Sequence, residues 1–176
     1  MEKFDLADSV SIKDPIIHPS VFIAKGAQIV GDVQLDEDSS VWYNCVLRGD
    51  INKIIVGKRT NIQDGSIVHL ENDLPCIIGD DVTIGHNAII HACTIEDGCL
   101  IGMGAIILNG AIIKKGSVVG AGAVVKEHTV VEENTLVVGI PAKPVKSLPI
   151  ATYEKNRKWA AKYVQLAQVH KRRFSQ

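Results

Sequence analysis

Three of the six histidines in this chain, His69, His86 and His91, share one stretch with Arg48, Asp50, Asn61, Gln63, Asp64 and Glu71. Neutral imidazole is a ligand for divalent transition metals and it titrates near neutral pH, so a group of this kind suits metal binding or proton transfer. His18, His128 and His170 have no such company and are read as structural. Which chemistry is open depends on how the backbone places the three rings.

The strongest organising signal is a six-residue period: an aliphatic residue at position one, often Gly or a charged residue at two, a small or β-branched residue at five. Position one falls on Ile17, Ile23, Ile29, Leu35, Val41, Leu47, Val56, Ile62 and Val68 in the first half. In the second half it falls on Ile78, Ile84, Ile90, Ile101, Ile107, Ile113, Val119, Val125, Val131 and Val137, with Val82, Ala88, Thr94 and Ala105 among the fifth positions. A helix needs apolar residues every three to four places and a sandwich strand needs alternation, so neither explains a period of six. A triangular parallel β-helix does: each hexad forms one flat face and turns one corner, and three hexads close a coil. Successive coils then stack at the inter-strand distance of roughly 4.8 Å.

The repeat stops near GIPAKPVKSLP, and Pro149 precedes a segment with Tyr153, Trp159, Ala160, Tyr163, Leu166, Ala167 and Phe174 on one helical stripe. The expected organisation is an all-β parallel β-helix domain over 1–148 and a C-terminal amphipathic α-helix over 149–176 packed on the prism. Its basic end, His170 to Arg173, is read as a solvated helix terminus. The 19 Lys and Arg nearly balance the 20 Asp and Glu, so nothing biases the chain toward nucleic acid or a membrane surface. Cys45, Cys76, Cys93 and Cys99 form no CxxC pair and are expected to be buried and reduced. The N-terminal MEKFDLADSVSIKD alternates charged and apolar residues where a signal peptide needs an apolar run, and no stretch approaches a membrane span, so a cytoplasmic location is expected.

The register slips in three places: between Leu47 and Val56, between Val68 and Ile78, and between Ile90 and Ile101. Counting hexads across the slips puts Arg48, His69 and His91 at position two of successive coils, in one column. Gln63 falls at position two of the preceding face, with Asp64 at three and His86 one coil above Asp64. Two stacked histidines can converge on one ion, since zinc takes nitrogens at about 2.0–2.1 Å in a tetrahedron. His86 points away around a corner, so a neighbouring chain would have to supply it. Three prisms about a threefold axis do this, giving a homotrimer with His69 and His91 from one chain and His86 from another.

These residues resemble the γ-carbonic anhydrase family within the hexapeptide-repeat proteins: RGD at 48–50, NIQDGSIVH at 61–69 and IGHNAIIH at 84–91. The resemblance implies a left-handed β-helix, Zn2+ on His69, His86 and His91, Gln63 as the metal-site glutamine and Asn61 as an active-site asparagine. Arg48, Asp50 and Asp64 match a charged cluster similar to an intersubunit salt-bridge network, Arg48 being also placed to polarise bicarbonate. The implied activity is reversible hydration of CO2 to bicarbonate, a lyase reaction in which three neutral imidazoles leave zinc an open position for water that ionises near neutral pH. Co2+ or Fe2+ would suit the same ligands. The acidic shuttle loop of the family's active members is shortened to Leu70-Glu71-Asn72-Asp73, with Glu71 the nearest stand-in. Acyl transfer, acyl-CoA thioester hydrolysis at the same interface, and a non-catalytic metal-binding scaffold stand as alternatives.

Overall fold

A computed structural model of the chain describes residues 12–174. The expectation for the N-terminal segment therefore falls largely outside the described residues, as does the Phe174 side chain. The chain winds into a parallel β-helix of about seven turns, followed by a helix, α1, over Ala151–Phe174.

The three faces follow directly from the hexads. One face stacks 28–31, 46–49, Ile67–His69, Ile89–His91, Ile106–Ile107 and Val124–Val125. The second stacks Ile16–Ile17, 33–35, 54–56, Cys76–Ile78, Thr94–Ile95, Ile112–Ile113 and Val130–Val131. The strands Gln28–Leu35 and Val46–Val56 run around the corner between these two and fuse them into one eleven-stranded sheet. The third face stacks Phe22–Ile23, Ser40–Val41, Asn61–Ile62, Thr83–Ile84, Leu100–Ile101, Val118–Val119 and Thr135–Val138. Its last strand, Lys143–Ser147, pairs antiparallel with Thr135–Val138, so the parallel winding ends before residue 148.

Position-one residues fill the prism. Leu47, Ile62, Ile84, Ile90, Ile101, Ile107 and Ile113 have no exposed surface, and full burial of each contributes about 1.5–3 kcal/mol relative to exposure. Corners demand a left-handed residue: successive corners beside His86 carry Asn87 (φ 57°), Gly104 (φ 66°) and Gly122 (φ 65°). A Cβ on Gly104 or Gly122 would meet nothing within 4 Å, so glycine there answers the backbone and not packing. The four cysteines are free and buried as expected.

The interval from Ile90 to Ile101 resolves differently from the hexad count. Ile95 occupies a full position one, paired with Ile78 below and Ile113 above, so Thr94 is the outward residue before it and not a fifth position. The hexad from Ile90 to Ile95 is one residue short, and Ala92 takes φ 46° at the tightened corner.

Helix α1 lies on the third face, against the strands from Phe22–Ile23 to Thr83–Ile84. Its inner seam is Asn156, Ala160, Tyr163, Ala167 and His170. Asn156 Nδ2 donates to the Gly98 carbonyl at 2.9 Å, and Trp42 meets the Tyr163 and His170 rings edge-on. Trp159 (48% exposed) and Leu166 (38%) sit on the shoulder of this seam and are not packed as expected. An apolar stripe drawn without the buried Asn156 is displaced to one side. The helix end is anchored too: Lys171 Nζ donates to the Ser20 carbonyl at 2.9 Å, and the Tyr43 hydroxyl pairs with His170 Nδ1 at 2.9 Å.

Buried Asp81 ties helix to prism, bonding Arg59 Nε at 2.7 Å and Arg157 Nε at 3.2 Å. Burial alone would raise the Asp81 pKa, but the two guanidiniums outweigh it and hold the carboxyl below its usual value. Its contribution to stability is thus full above the ordinary carboxylate range and is lost as pH falls through the lowered folded value. Asp81→Asn should cost about 1–3 kcal/mol in urea unfolding at pH 7, with α1 amides exchanging faster, and the deficit should shrink as pH falls below the ordinary carboxylate pKa.

Candidate metal centre

Coil stacking places His91 directly over His69. Val68 lies over Leu47 in the coil below, so Arg48 continues the column. His69 Nδ1 faces His91 Nε2 at 3.1 Å, with the rings tilted at 56°. Two ligands at zinc's usual bond length on a tetrahedral ion lie about 3.3 Å apart, so the pair fits a shared metal. The outer ring nitrogens are occupied: His69 Nε2 lies 3.2 Å from Asp50 Oδ1, and His91 Nδ1 lies 2.7 Å from Asn109 Oδ1.

The register slips build this arrangement. The strand Val46–Val56 carries extra residues opposite Asp32, between the pairs Gly31–Gly49 and Val33–Ile54; this bulge brings Asp50 beside His69. Asp50 also pairs with Arg48. Burial opposes ionisation of Asp50, but the Arg48 and His69 hydrogen bonds prevail and lower its pKa. Burial, with Arg48 and His91 adding to it, lowers that of His69 despite Asp50, which favours the neutral ring. Asn52 from the same bulge donates to the carbonyls of Glu71 and Asn72 at 3.2 and 2.9 Å, clamping the loop that carries Glu71. No hydrogen bond or ion pair engages the Glu71 carboxylate among the described residues.

Around the corner, the second column forms on the third face. Asn61 is fully buried; its Nδ2 donates to Thr83 Oγ1 at 2.9 Å, and its Oδ1 accepts from Gln63 Nε2 at 3.1 Å. His86 Nδ1 lies 2.8 Å from Asp64 Oδ2, both half-exposed. Arg48, Asp50 and Asp64 therefore do not form one cluster within a chain: Asp50 serves Arg48 and His69, while Asp64 serves His86. Nor do the three histidines meet, and no group of three or more His, Cys, Asp or Glu side chains able to hold a metal occurs among the described residues. His18 follows the strand Ile16–Ile17 and pairs through Nδ1 with the Ser20 hydroxyl at 2.9 Å, while His128 lies in a turn and donates its N–H to the Asn109 carbonyl at 2.8 Å.

Asn109, which no motif in the sequence singles out, also touches the histidine pair. It follows Leu108 at the corner above the shortened one at Ala92, where the Gly110 N–H donates to the Ala92 carbonyl at 2.7 Å. Its only sequence signal is an amide one coil beyond a histidine at a corner of altered length, and that signal is invisible until Ile95 is assigned to position one.

The family model for bacterial transferase hexapeptide repeats matches residues 75–109 and 92–127. A protein of Methanocaldococcus jannaschii named as a carbonic anhydrase is 52% identical over 153 residues, covering 87% of this chain and 96% of that one. The mitochondrial gamma carbonic anhydrase 2 of Arabidopsis thaliana is 52% identical over 91 residues, 48% of this chain and 33% of its own, so the match spans about a third of that relative. A Bacillus cereus crystal structure provisionally named an acetyltransferase aligns with a TM-score of 0.88 at 42% identity, covering 90% of this chain and 92% of that one.

Asn61 is the structural pin of the second column. Asn61→Ala leaves buried hydrogen-bonding groups on Thr83 and Gln63 unmatched and should cost about 1–3 kcal/mol in chemical denaturation, with Gln63→Ala, which removes only the outer partner, costing less.

Proposed function

The chain belongs to the γ-class carbonic anhydrase family of hexapeptide-repeat β-helices, and from that premise we propose that it catalyses the reversible hydration of CO2 to bicarbonate at metal sites shared between the subunits of a homotrimer. The observation that carries this reading is the His69–His91 pair, whose facing nitrogens are 3.1 Å apart while His86 stands around the corner on its own carboxylate. One subunit thus offers two ligands and an outlying third. Zn2+ fits this all-imidazole set, and Co2+ or Fe2+ would be accepted.

A second feature supports the shared site. On the face that carries the histidine pair, the outward residues Val46, Ile67, Ile89, Ile106 and Val124 form a ladder, with Ile67 44% and Ile89 37% exposed. Beside His86 the surface is likewise apolar, with Met103 60% exposed and Trp159 at the edge of a groove that includes Gln63 and His86. Docking the ladder of one copy against this corner of the next buries apolar surface and delivers His86 to the pair.

Bound zinc would supply a Lewis acid at which water gives up a proton near neutral pH, furnishing the nucleophile for CO2. The chain's own groups do the rest. Asp64 holds His86 by Nδ1, leaving Nε2 free to reach across the interface. Gln63, its Nε2 spent on Asn61, turns Oε1 toward the attacking water and orients it. Arg48 keeps Asp50 against His69 and offers its remaining N–H groups to bicarbonate. Glu71, on the loop clamped by Asn52, carries the released proton to solvent. The buried reduced thiols favour the cytoplasm, and no described helix is long and apolar enough to cross a membrane.

The resemblance to the Bacillus cereus protein and the apolar groove beside His86 favour one rival, hydrolysis or transfer of an acyl group from acyl-CoA at the same interface. Metal content of the purified oligomer, followed by CO2 hydration and acyl-CoA consumption with and without metal, separates the two. Metal-bearing protein that consumes acyl-CoA and ignores CO2 would overturn the anhydrase reading; neither activity would leave a metal-binding scaffold.

Two outcomes test the shared site and the shuttle. His86→Ala and His91→Ala should each be inactive alone, yet co-expressed they should recover about a quarter of wild-type sites, since random mixing pairs an intact half-site with an intact neighbour that often. Glu71→Gln should lower kcat by about tenfold or more, with recovery in concentrated imidazole buffer and little change in kcat/KM.

A further inference from the structure

We propose that Asn109 is a positioning residue that fixes the tautomer of His91, keeping the His69–His91 pair open to a cation instead of letting it close on itself through an imidazole–imidazole hydrogen bond. As a role at the metal site this rests on the metal reading above; as a statement about the two rings it does not.

The argument is one of proton placement. Asp50, paired with Arg48, is a carboxylate with no proton to donate, so the 3.2 Å contact requires the N–H on His69 Nε2. His69 Nδ1 is then a bare acceptor. The amide oxygen of Asn109 likewise only accepts, so the 2.7 Å contact requires the N–H on His91 Nδ1, and His91 Nε2 is bare as well. With both rings neutral, the 3.1 Å approach of these two nitrogens therefore has no hydrogen in it. Two lone pairs face each other, an arrangement that repels unless a cation lies between them.

Removing the Asn109 oxygen frees the His91 proton to move. With it on Nε2, the same 3.1 Å contact becomes an ordinary N–H···N hydrogen bond, and the pair satisfies itself. A metal would then have to break that bond and expel the proton before binding. Asn109 is held for this task by its backbone: its carbonyl accepts from the His128 N–H at 2.8 Å, and the next N–H is bonded to Ala92 in the coil of His91. The three ligands thus have matched supports, Asp50 for His69, Asp64 for His86 and Asn109 for His91, of which only the last is neutral.

The test compares full-length wild type, Asn109→Asp, Asn109→Leu and Asn109→Ala, each confirmed folded by circular dichroism. In chelator-treated protein labelled with 15N-histidine, wild type and Asn109→Asp should show His91 as the Nδ1–H tautomer, and Asn109→Leu and Asn109→Ala should shift it to Nε2–H. Zn2+ affinity by chelator competition should fall about 10–100-fold in Leu and Ala and stay within a few-fold of wild type in Asp. An unchanged tautomer in both Leu and Ala overturns the proposal, as does an affinity loss shared equally by Asp. If wild type binds no Zn2+ but the tautomer still shifts, the metal reading fails and the assignment of Asn109 stands.

Discussion

The hydrogen-bonded register between successive coils is the constraint on which everything else rests. Backbone N–H and C=O groups of each coil bond to the coils above and below, from Gln63 N to Ile84 O and from Ile67 N to Ala88 O, at 2.9 Å. Buried backbone groups must be paired, so a coil cannot slide against its neighbours without abandoning many bonds together. Side chains in one column are therefore fixed relative to one another more firmly than residues on loops. That rigidity brings His69 and His91 within 3.1 Å without a loop, disulfide or flexible arm to steer them.

Such a scaffold is legible in sequence because one coil is a fixed number of hexads, and counting position-one aliphatics recovers contacts between residues far apart in the chain. Leu47 under Val68, Val68 under Ile90 and Ile62 under Ile84 all follow from the count alone. Corners are less legible, since their length varies. The five-residue turn from Ile90 to Ile95 hides one position-one residue, and with it Asn109. The outer helix is harder still, because its inner seam depends on partners on the third face: Asn156 belongs inside for the sake of the Gly98 carbonyl, a fact no helical period carries.

Departures from the repeat are also where the chemistry gathers, for a physical reason. A perfect prism presents flat faces on which outward side chains meet only their neighbours in the same column, as His69 and His91 do. The bulge after Gly49 redirects Asp50 toward the histidine column, and its neighbour Asn52 secures the following loop. The short corner at Ala92 lies under the longer one at Asn109 and lets an amide meet an imidazole from the side. The core sits in the uniform coils, and the histidine column gains its polar partners where uniformity is interrupted.

The placement of His86 follows from the same geometry. A triangular prism puts residues on adjacent faces on diverging normals, so a ligand around the corner cannot join a pair on the flat face within the same chain. Asp64 and His86 satisfy each other at 2.8 Å within the subunit. Yet each group is about 40% exposed, and the surface next to them, at Met103 and Trp159, is apolar. On the other face, Ile67 and Ile89 stand out beside the histidine pair. The His69–His91 pair and His86 thus each lie beside a patch of apolar surface that water covers poorly, and in the proposed trimer burying those patches against one another would be the same movement that completes the ligand set. In the proposed oligomer, assembly and metal binding would stabilise each other, since a metal that binds only the completed site favours the assembled state by mass action.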